Sequence, residues 1–201
     1  MANNYILVNE DRILRPVTLD DAEFIVNLRN QKHALGTIHQ TDNDVEKQRE
    51  WIMAYLQREN EYYWIICDKN NNPIGTVSLY HYDENANEIE QGRWVMVQDT
   101  DINFISNTVQ IQDFAFYYLK VNRLVCDVVS TNKKVLKYHK FLGKTVTKRE
   151  TIYGVCDDAV EVIWMEQKLD DWPQKRERLL KFCGDTSKWF VYKDGKQIKI
   201  Y

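Results

Sequence analysis

The sequence predicts an α/β domain, and three observations carry that reading. Residues 111–143 read helix, strand, helix with almost no connecting residues. Residues 62–97 break into three strand-like runs separated by turn residues. Residues 12–56 hold one alternating run followed by two segments with apolar positions at helical spacing. This alternation is common in α/β proteins and by itself names no function.

Residues 12–17 (RILRPV) alternate and end beside Pro16, as a first strand does. Thr18 is a suitable N-cap, with Asp20 and Asp21 in the first turn favouring the helix dipole. Leu19, Ala22, Phe24, Ile25 and Leu28 give this helix its apolar face. A polar loop follows over 33–41. Asn43 or Asp44 caps a second helix, which buries Trp51, Ile52, Tyr55 and Leu56.

The run 62–67 (YYWIIC) is a strand, and Asn70-Asn71-Asn72-Pro73 has turn chemistry. A second strand covers 74–82. After a polar turn at 83–87, a third covers 89–97 with Gly92 inside it. Ile111, Phe114, Ala115, Tyr118 and Leu119 mark a helix. Residues 123–130 are apolar on both parities, as a strand covered on both faces is. Thr131-Asn132 opens the next helix, Val135, Leu136, Phe141 and Leu142 are its apolar positions, and Gly143 suits its C-terminal cap. Two strands, 145–152 and 160–167, flank a turn at 153–158. Residues 172–183 form a charged amphipathic helix, and 189–201 alternate about Asp194-Gly195, a hairpin signal.

A chain of 201 residues, 44% hydrophobic, fits one ordinary domain with room for an appendage. The reading divides it at 1–169 and 170–201, the latter a helix and hairpin that serve as packing appendage, dimer element or lid. A net charge of −3 and a pI near 5.8 argue against general nucleic-acid binding. No apolar run reaches 18 residues, so no membrane span is expected. The N-terminal residues lack a signal-peptide pattern, and Cys67, Cys126, Cys156 and Cys183 form no CxxC pair. A reducing, cytoplasmic setting without a bound metal is the expectation.

The spacing of Ala115-Phe116, the Val121-Asn122-Arg123-Leu124 strand entry, Asn132 and Gly143 resembles the second half of a GCN5-related N-acetyltransferase (GNAT). The opening LRPVTLDDAEFIVNLRN resembles the same family, and the likeness spans roughly 12–169. It implies a mixed central sheet, an antiparallel meander joined to a splayed parallel pair, flanked by helices. It also implies acetyl-CoA as co-substrate, its pantetheine arm held between the splayed strands. Two departures stand out. Lys144 follows Gly143 where the family usually has phenylalanine. The family's glycine-rich pyrophosphate loop would fall near Ile102 and Phe104, where this chain has no glycine. Either the loop is a divergent one, with Asn103, Ser106, Asn107 and Thr108 adding donors to a helix N-terminus, or the fold has lost its cofactor.

The resemblance implies roles by position. His139 stands four before Gly143, where many relatives carry a tyrosine that protonates the leaving thiolate; Tyr138 is its neighbour and the alternative. His139 is otherwise a surface residue among Lys133, Lys134, Lys137 and Lys140. Asn132 would contact the cofactor arm, cap its helix, or do both. Val95 and Val97 would offer backbone groups to pantetheine. Glu90, two before Gly92, is the first candidate for general base, with His81 on the acceptor side second and Asp127 third. Arg29 and Asn30 resemble an Arg-Asn pair in a subgroup acting on nucleotide-linked amino sugars, with Trp51 at the matching distance but Gln48 where that subgroup often has histidine. Arg29 would bind a phosphate there, or serve as a helix C-terminal cation.

The expected activity is acetyl transfer from acetyl-CoA to a primary amine of a small molecule, favouring a nucleotide-linked amino sugar. A protein N-terminal amine, as in ribosomal-protein acetyltransferases, is the alternative of the same chemistry. A catalytically silent binding module is the alternative of another class. A homodimer is one option for the assembly.

Overall fold

The computed structural model describes residues 4–36, 38, 42–97, 104–153 and 159–200. Two strands, β1 (Tyr5–Val8) and β2 (Arg12–Pro16), lead through a 3₁₀ turn (Leu19–Asp21) into α1 (Ala22–Arg29) and α2 (Val45–Tyr55). A meander follows, β3 (Tyr62–Asp68), β4 (Pro73–Asp83) and β5 (Glu88–Met96). Then come α3 (Ile105–Asp113), β6 (Arg123–Val129), α4 (Lys133–Leu142), β7 (Thr145–Tyr153), β8 (Ala159–Lys168), α5 (Trp172–Leu180), β9 (Phe190–Lys193) and β10 (Lys196–Ile198).

The strands form one sheet in the order β10-β9-β1-β2-β3-β4-β5-β6-β8-β7. Among the described residues β5 and β6 are the parallel pair, and their neighbours run antiparallel. The β5–β6 ladder has only three rungs, Glu88↔Arg123, Ile89↔Leu124 and Glu90↔Val125. Beyond Glu90 the two strands part. The expected antiparallel meander joined to a splayed parallel pair is what forms.

Local chemistry explains the elements. Thr18 and Asp21 form a reciprocal capping box at the first turn. Asp44, not Asn43, caps α2, accepting from Glu46 N and Lys47 N. Asn132 Oδ1 accepts from Val135 N at 3.2 Å to open α4. Gly143 closes that helix at φ 90°, where Lys144 N donates to His139 O. A side chain at such a φ is strained, so the glycine sets the stop.

The sheet carries helices on both faces. On one, α1 and α2 pack Ile25, Ile52 and Tyr55 against Val17, Tyr63 and Ile65. On the other, α3 is buried along most of its length. Residues Phe114–Tyr118 continue it as a π turn, Leu119 N donating to Phe114 O at 2.9 Å. That turn inserts Phe114 among Tyr5, Tyr62 and Trp64 in edge-to-face contacts of 5.0–5.7 Å.

Three boundaries differ from the sequence reading. The third helix begins at Ile105 rather than 111, because its first turn is polar and carries no apolar period. The C-terminal helix ends at Leu180 rather than 183. β1, unassigned from sequence, pairs with β2 on one side and β9 on the other. The tail therefore extends the central sheet. Trp172, Leu179 and Val191 join the same buried cluster as Val109, Phe114 and Phe116. Asp113 on α3 accepts from Trp172 Nε1 at 2.9 Å and pairs with Arg176 Nε at 2.8 Å.

Candidate active site

Where β5 and β6 part, a cavity of about 270 Å³ opens between them. Its wall includes Arg29, Tyr80, Gln91, Gly92, Arg93, Val95, Asp127, Asn132 and His139. A bulge shapes it. Thr76 faces Val95 and Ser78 faces Gly92, so Arg93 and Trp94 stand opposite the single residue Val77. Arg93 takes φ 52° there. Bulges of this kind re-aim side chains beside active sites.

Strand alternation divides the site into two faces. Glu90 lies opposite Tyr80, on the face of α1 and α2; Gln91 lies opposite Leu79, in the cluster beneath α3. On the first face the Tyr80 hydroxyl donates to Glu90 Oε1 at 2.5 Å, and His81 Nδ1 sits 3.1 Å from Glu90 Oε2. Glu90 is buried, whereas the His81 side chain is 67% exposed. Tyr80, not Glu90, reaches the cavity wall. Burial and the neighbouring Glu90 carboxylate push the Tyr80 phenol up, so it stays protonated and donating. Gly92 allows this arrangement: a Cβ there would collide with the Tyr80 hydroxyl.

The Arg93 guanidinium lies over Tyr80 at 3.9 Å, Trp51 at 5.0 Å and Tyr63 at 5.7 Å. It donates to Ser78 Oγ at 3.0 Å and stands 3.7 Å from Glu61. Arg29 lines the same cavity. Burial first, then the charge of Arg93, disfavours its protonated form, yet a guanidinium keeps its proton in proteins. Both arginines thus line the cavity. Asn30 takes another path, donating from Nδ2 to Val26 O at 2.9 Å as a helix end.

On the second face, α4 separates two residues that sequence left as alternatives. His139 lines the cavity, with Nδ1 buried and without a hydrogen bond. Burial first, then Lys144, holds its imidazole well below the usual histidine range. Tyr138 turns to α3 instead, its hydroxyl 2.8 Å from Thr108 Oγ1. Burial pushes its phenol up to about 12.

A model of the acetyltransferase (GNAT) domain matches residues 11–145, about two thirds of the chain. The chain belongs to the GNAT acetyltransferase family. Among solved structures it is similar to apo FdhC, described as a nucleotide-linked sugar GNAT, at 28% identity and a TM-score of 0.69, covering 92% of this chain and 99% of that one. A spermidine N-acetyltransferase, a point mutant of SpeG from Vibrio cholerae, is similar at 17% identity and a TM-score of 0.69, with 82% and 97% covered. A GCN5-related N-acetyltransferase from Brucella melitensis matches at 12% identity and a TM-score of 0.76, with 91% and 89% covered. No curated protein matches the chain.

Within this GNAT domain the expected cofactor residues are spread along the cavity and α3. Asn132 and Val95 line the cavity. Val97 spends its N–H on Ile74 O at 2.9 Å, inside the sheet. Asn107, on the first turn of α3, is buried, and its Nδ2 has no hydrogen-bond partner. A buried orphan donor beside the N–H groups of a helix start is the chemistry an anionic phosphate needs. Ser106 bonds Cys183 of the tail. Asn103 lies outside the described residues. Among those residues no cluster of His, Cys, Asp or Glu forms a metal site, and no helix is long and apolar enough to cross a membrane.

Four residues of this site were missed by sequence reasoning: Tyr80, Gln91, Arg93 and Lys144. The signals available were the unbroken polar run Glu90-Gln91-Gly92-Arg93 in a strand, and a lysine at 144 in the usual place of phenylalanine.

Proposed function

We propose that this GNAT domain transfers an acetyl group from acetyl-CoA to the primary amine of a nucleotide-linked amino sugar. The observation that carries the acceptor is the pair of arginines, Arg29 and Arg93, that both line the cavity. Two fixed cations favour an acceptor with a diphosphate, which arginine binds in a bidentate fork. They repel a polyamine. The likeness to FdhC supports the same acceptor class.

Acetyl-CoA supplies the acyl group as an activated thioester, and this chain's residues do the rest. Val95 backbone and Asn132 hold the arm between the parted strands, and Asn107 with the first turn of α3 meets the pyrophosphate. Arg29 and Arg93 anchor the acceptor so that its neutral amine faces the carbonyl carbon from the Glu90 face. As the C–N bond forms and the C–S bond breaks, the amine loses one proton. Tyr80 accepts that proton while passing its own to Glu90, so the buried carboxylate works through the phenol that lines the cavity. His139 is neutral at pH 7. It stabilises the departing thiolate with a hydrogen bond rather than by full proton transfer; the thiolate then takes its proton from water.

The test is a thiol-release assay with acetyl-CoA against UDP- and dTDP-linked amino sugars, spermidine and an N-terminal peptide. Turnover with the sugar nucleotides is expected, and Arg29→Ala chiefly raises their KM. Turnover with spermidine or peptide but no sugar nucleotide overturns the acceptor. Absence of any thermal shift with millimolar acetyl-CoA overturns the enzyme reading, since occupancy at 100 times Kd stabilises by about 2.7 kcal/mol.

A further inference from the structure

Gln91 is 4% exposed, lines the cavity, and leaves its Nε2 buried without a hydrogen-bond partner. Its other end is fixed. Lys144, also 4% exposed, donates from Nζ to Gln91 Oε1 at 3.0 Å, and that nitrogen lies 3.3 Å from Cys126 Sγ. An ammonium has no lone pair, so only the amide oxygen can face it, and the NH₂ is turned away. A buried amide donor left unmade is costly, so native structures seldom keep one without a use.

The position of this donor says what it meets. Gln91 is the first residue past the last β5–β6 rung, at the point where the strands part. Glu90, next to it, faces the acceptor side. His139 faces the cavity from α4 on the other side. Between a proton acceptor and a leaving-group partner stands the reacting carbonyl. NH₂ can only donate, and a carbonyl oxygen that gains negative charge is the acceptor it suits.

We propose that Gln91 Nε2 donates a hydrogen bond to the acyl carbonyl oxygen of the bound thioester, and that Lys144 is the positioning residue that holds and polarises the Gln91 amide for it. This rests on the acetyl-CoA reading above. A cation behind the amide oxygen draws electron density from the nitrogen and strengthens its N–H as a donor. The lysine that replaces the family's usual phenylalanine at 144 thereby acquires a role. A phenylalanine there has no donor to set the amide.

The experiment compares acetyl-CoA with CoA by calorimetric titration, since CoA lacks the acetyl group and with it the acyl oxygen. In the unaltered protein both ligands bind. Gln91→Leu is expected to weaken acetyl-CoA about 5- to 10-fold, the range of one hydrogen bond to a polar or partly charged partner, and to leave CoA unchanged. Lys144→Met is expected to give the same selective loss, and Lys144→Arg to restore most of it. A merely structural role would weaken both ligands together. Equal losses for the two ligands, or no loss in Gln91→Leu, overturn the assignment. Gln91→Leu decides the matter alone where Lys144→Met does not fold. Failure of the unaltered protein to bind either ligand overturns the acetyl-CoA reading, and this inference with it.

Discussion

The Tyr80 hydroxyl and the Glu90 carboxylate, opposite each other on β4 and β5, meet at 2.5 Å. Tyr80 also carries the Arg93 guanidinium on its ring face. One phenol therefore links the proposed proton acceptor to the proposed anion anchor. That geometry makes Tyr80 testable separately from Glu90.

Glu90→Gln removes the final proton acceptor. Turnover is expected to fall on the order of 10²-fold, as for loss of a general base. Tyr80→Phe keeps the carboxylate and removes the relay, so a fall of similar size is expected in kcat measured across pH 5 to 9. An unchanged Tyr80→Phe rate would show that the proton travels by water.

Gly92→Ala places a methyl group where the Tyr80 hydroxyl now lies. Overpacking of this kind costs about 1–3 kcal/mol. The urea midpoint should drop accordingly, and turnover should drop with it because the ring is displaced from Glu90. The double variant with Tyr80→Phe should regain part of the stability but none of the turnover.

His139 gives a pH signature in stability. Its folded-state pKa lies well below 6.5, from burial first and Lys144 second. As pH falls through about 6.5, the unfolded chain takes up a proton that the folded chain refuses, so stability is lost on acidification. Above that pH both states are neutral and the contribution vanishes. Thermal melts between pH 5 and 8 should therefore show a shallower acid decline in His139→Gln than in the unaltered protein. Parallel curves would mean that His139 is protonated in the fold.

Asp113 and Arg176 tie α5 to α3. Burial pushes the Asp113 carboxyl up despite the pull of Arg176 and Trp172, the mark of a carboxylate that depends on its partner. Arg176→Met should cost about 3–5 kcal/mol in urea unfolding, the usual penalty for stranding a buried charge. Asp113→Asn with Arg176→Met should recover most of it.

Much of the fold was legible because its signals are local. Asn132 and Gly143 bracket α4 by capping chemistry, and the Asn70–Pro73 turn separates two runs of period two. β1 was not legible. Four residues, Tyr5–Val8, resemble many short apolar runs, and one of their partners lies near the far end of the chain. The site divides in the same way. Glu90, His139 and Arg29 were marked by position relative to a glycine or a helix end. Tyr80, Arg93 and Gln91 were hidden because their roles come from cross-strand register and a bulge, neither of which has a local pattern. Tyr138 and His139 are adjacent in sequence, and only the rotation of α4 about its axis sends one to Thr108 and the other to the cavity.

The β1–β9 ladder joins Tyr5 to Lys193 and Val8 to Phe190. A ribosome makes Tyr5–Val8 well before Phe190–Lys193. β1 must wait through synthesis of every other strand in the sheet but β10 with one edge unpaired, and an unpaired edge is a template for the wrong neighbour. Closing the ladder is also a contact of extreme sequence separation, the kind that slows folding. The step that seals this sheet therefore waits for β9, and a chaperone that shields Tyr5–Val8 would act on the stage where the nascent chain is most exposed to misassembly.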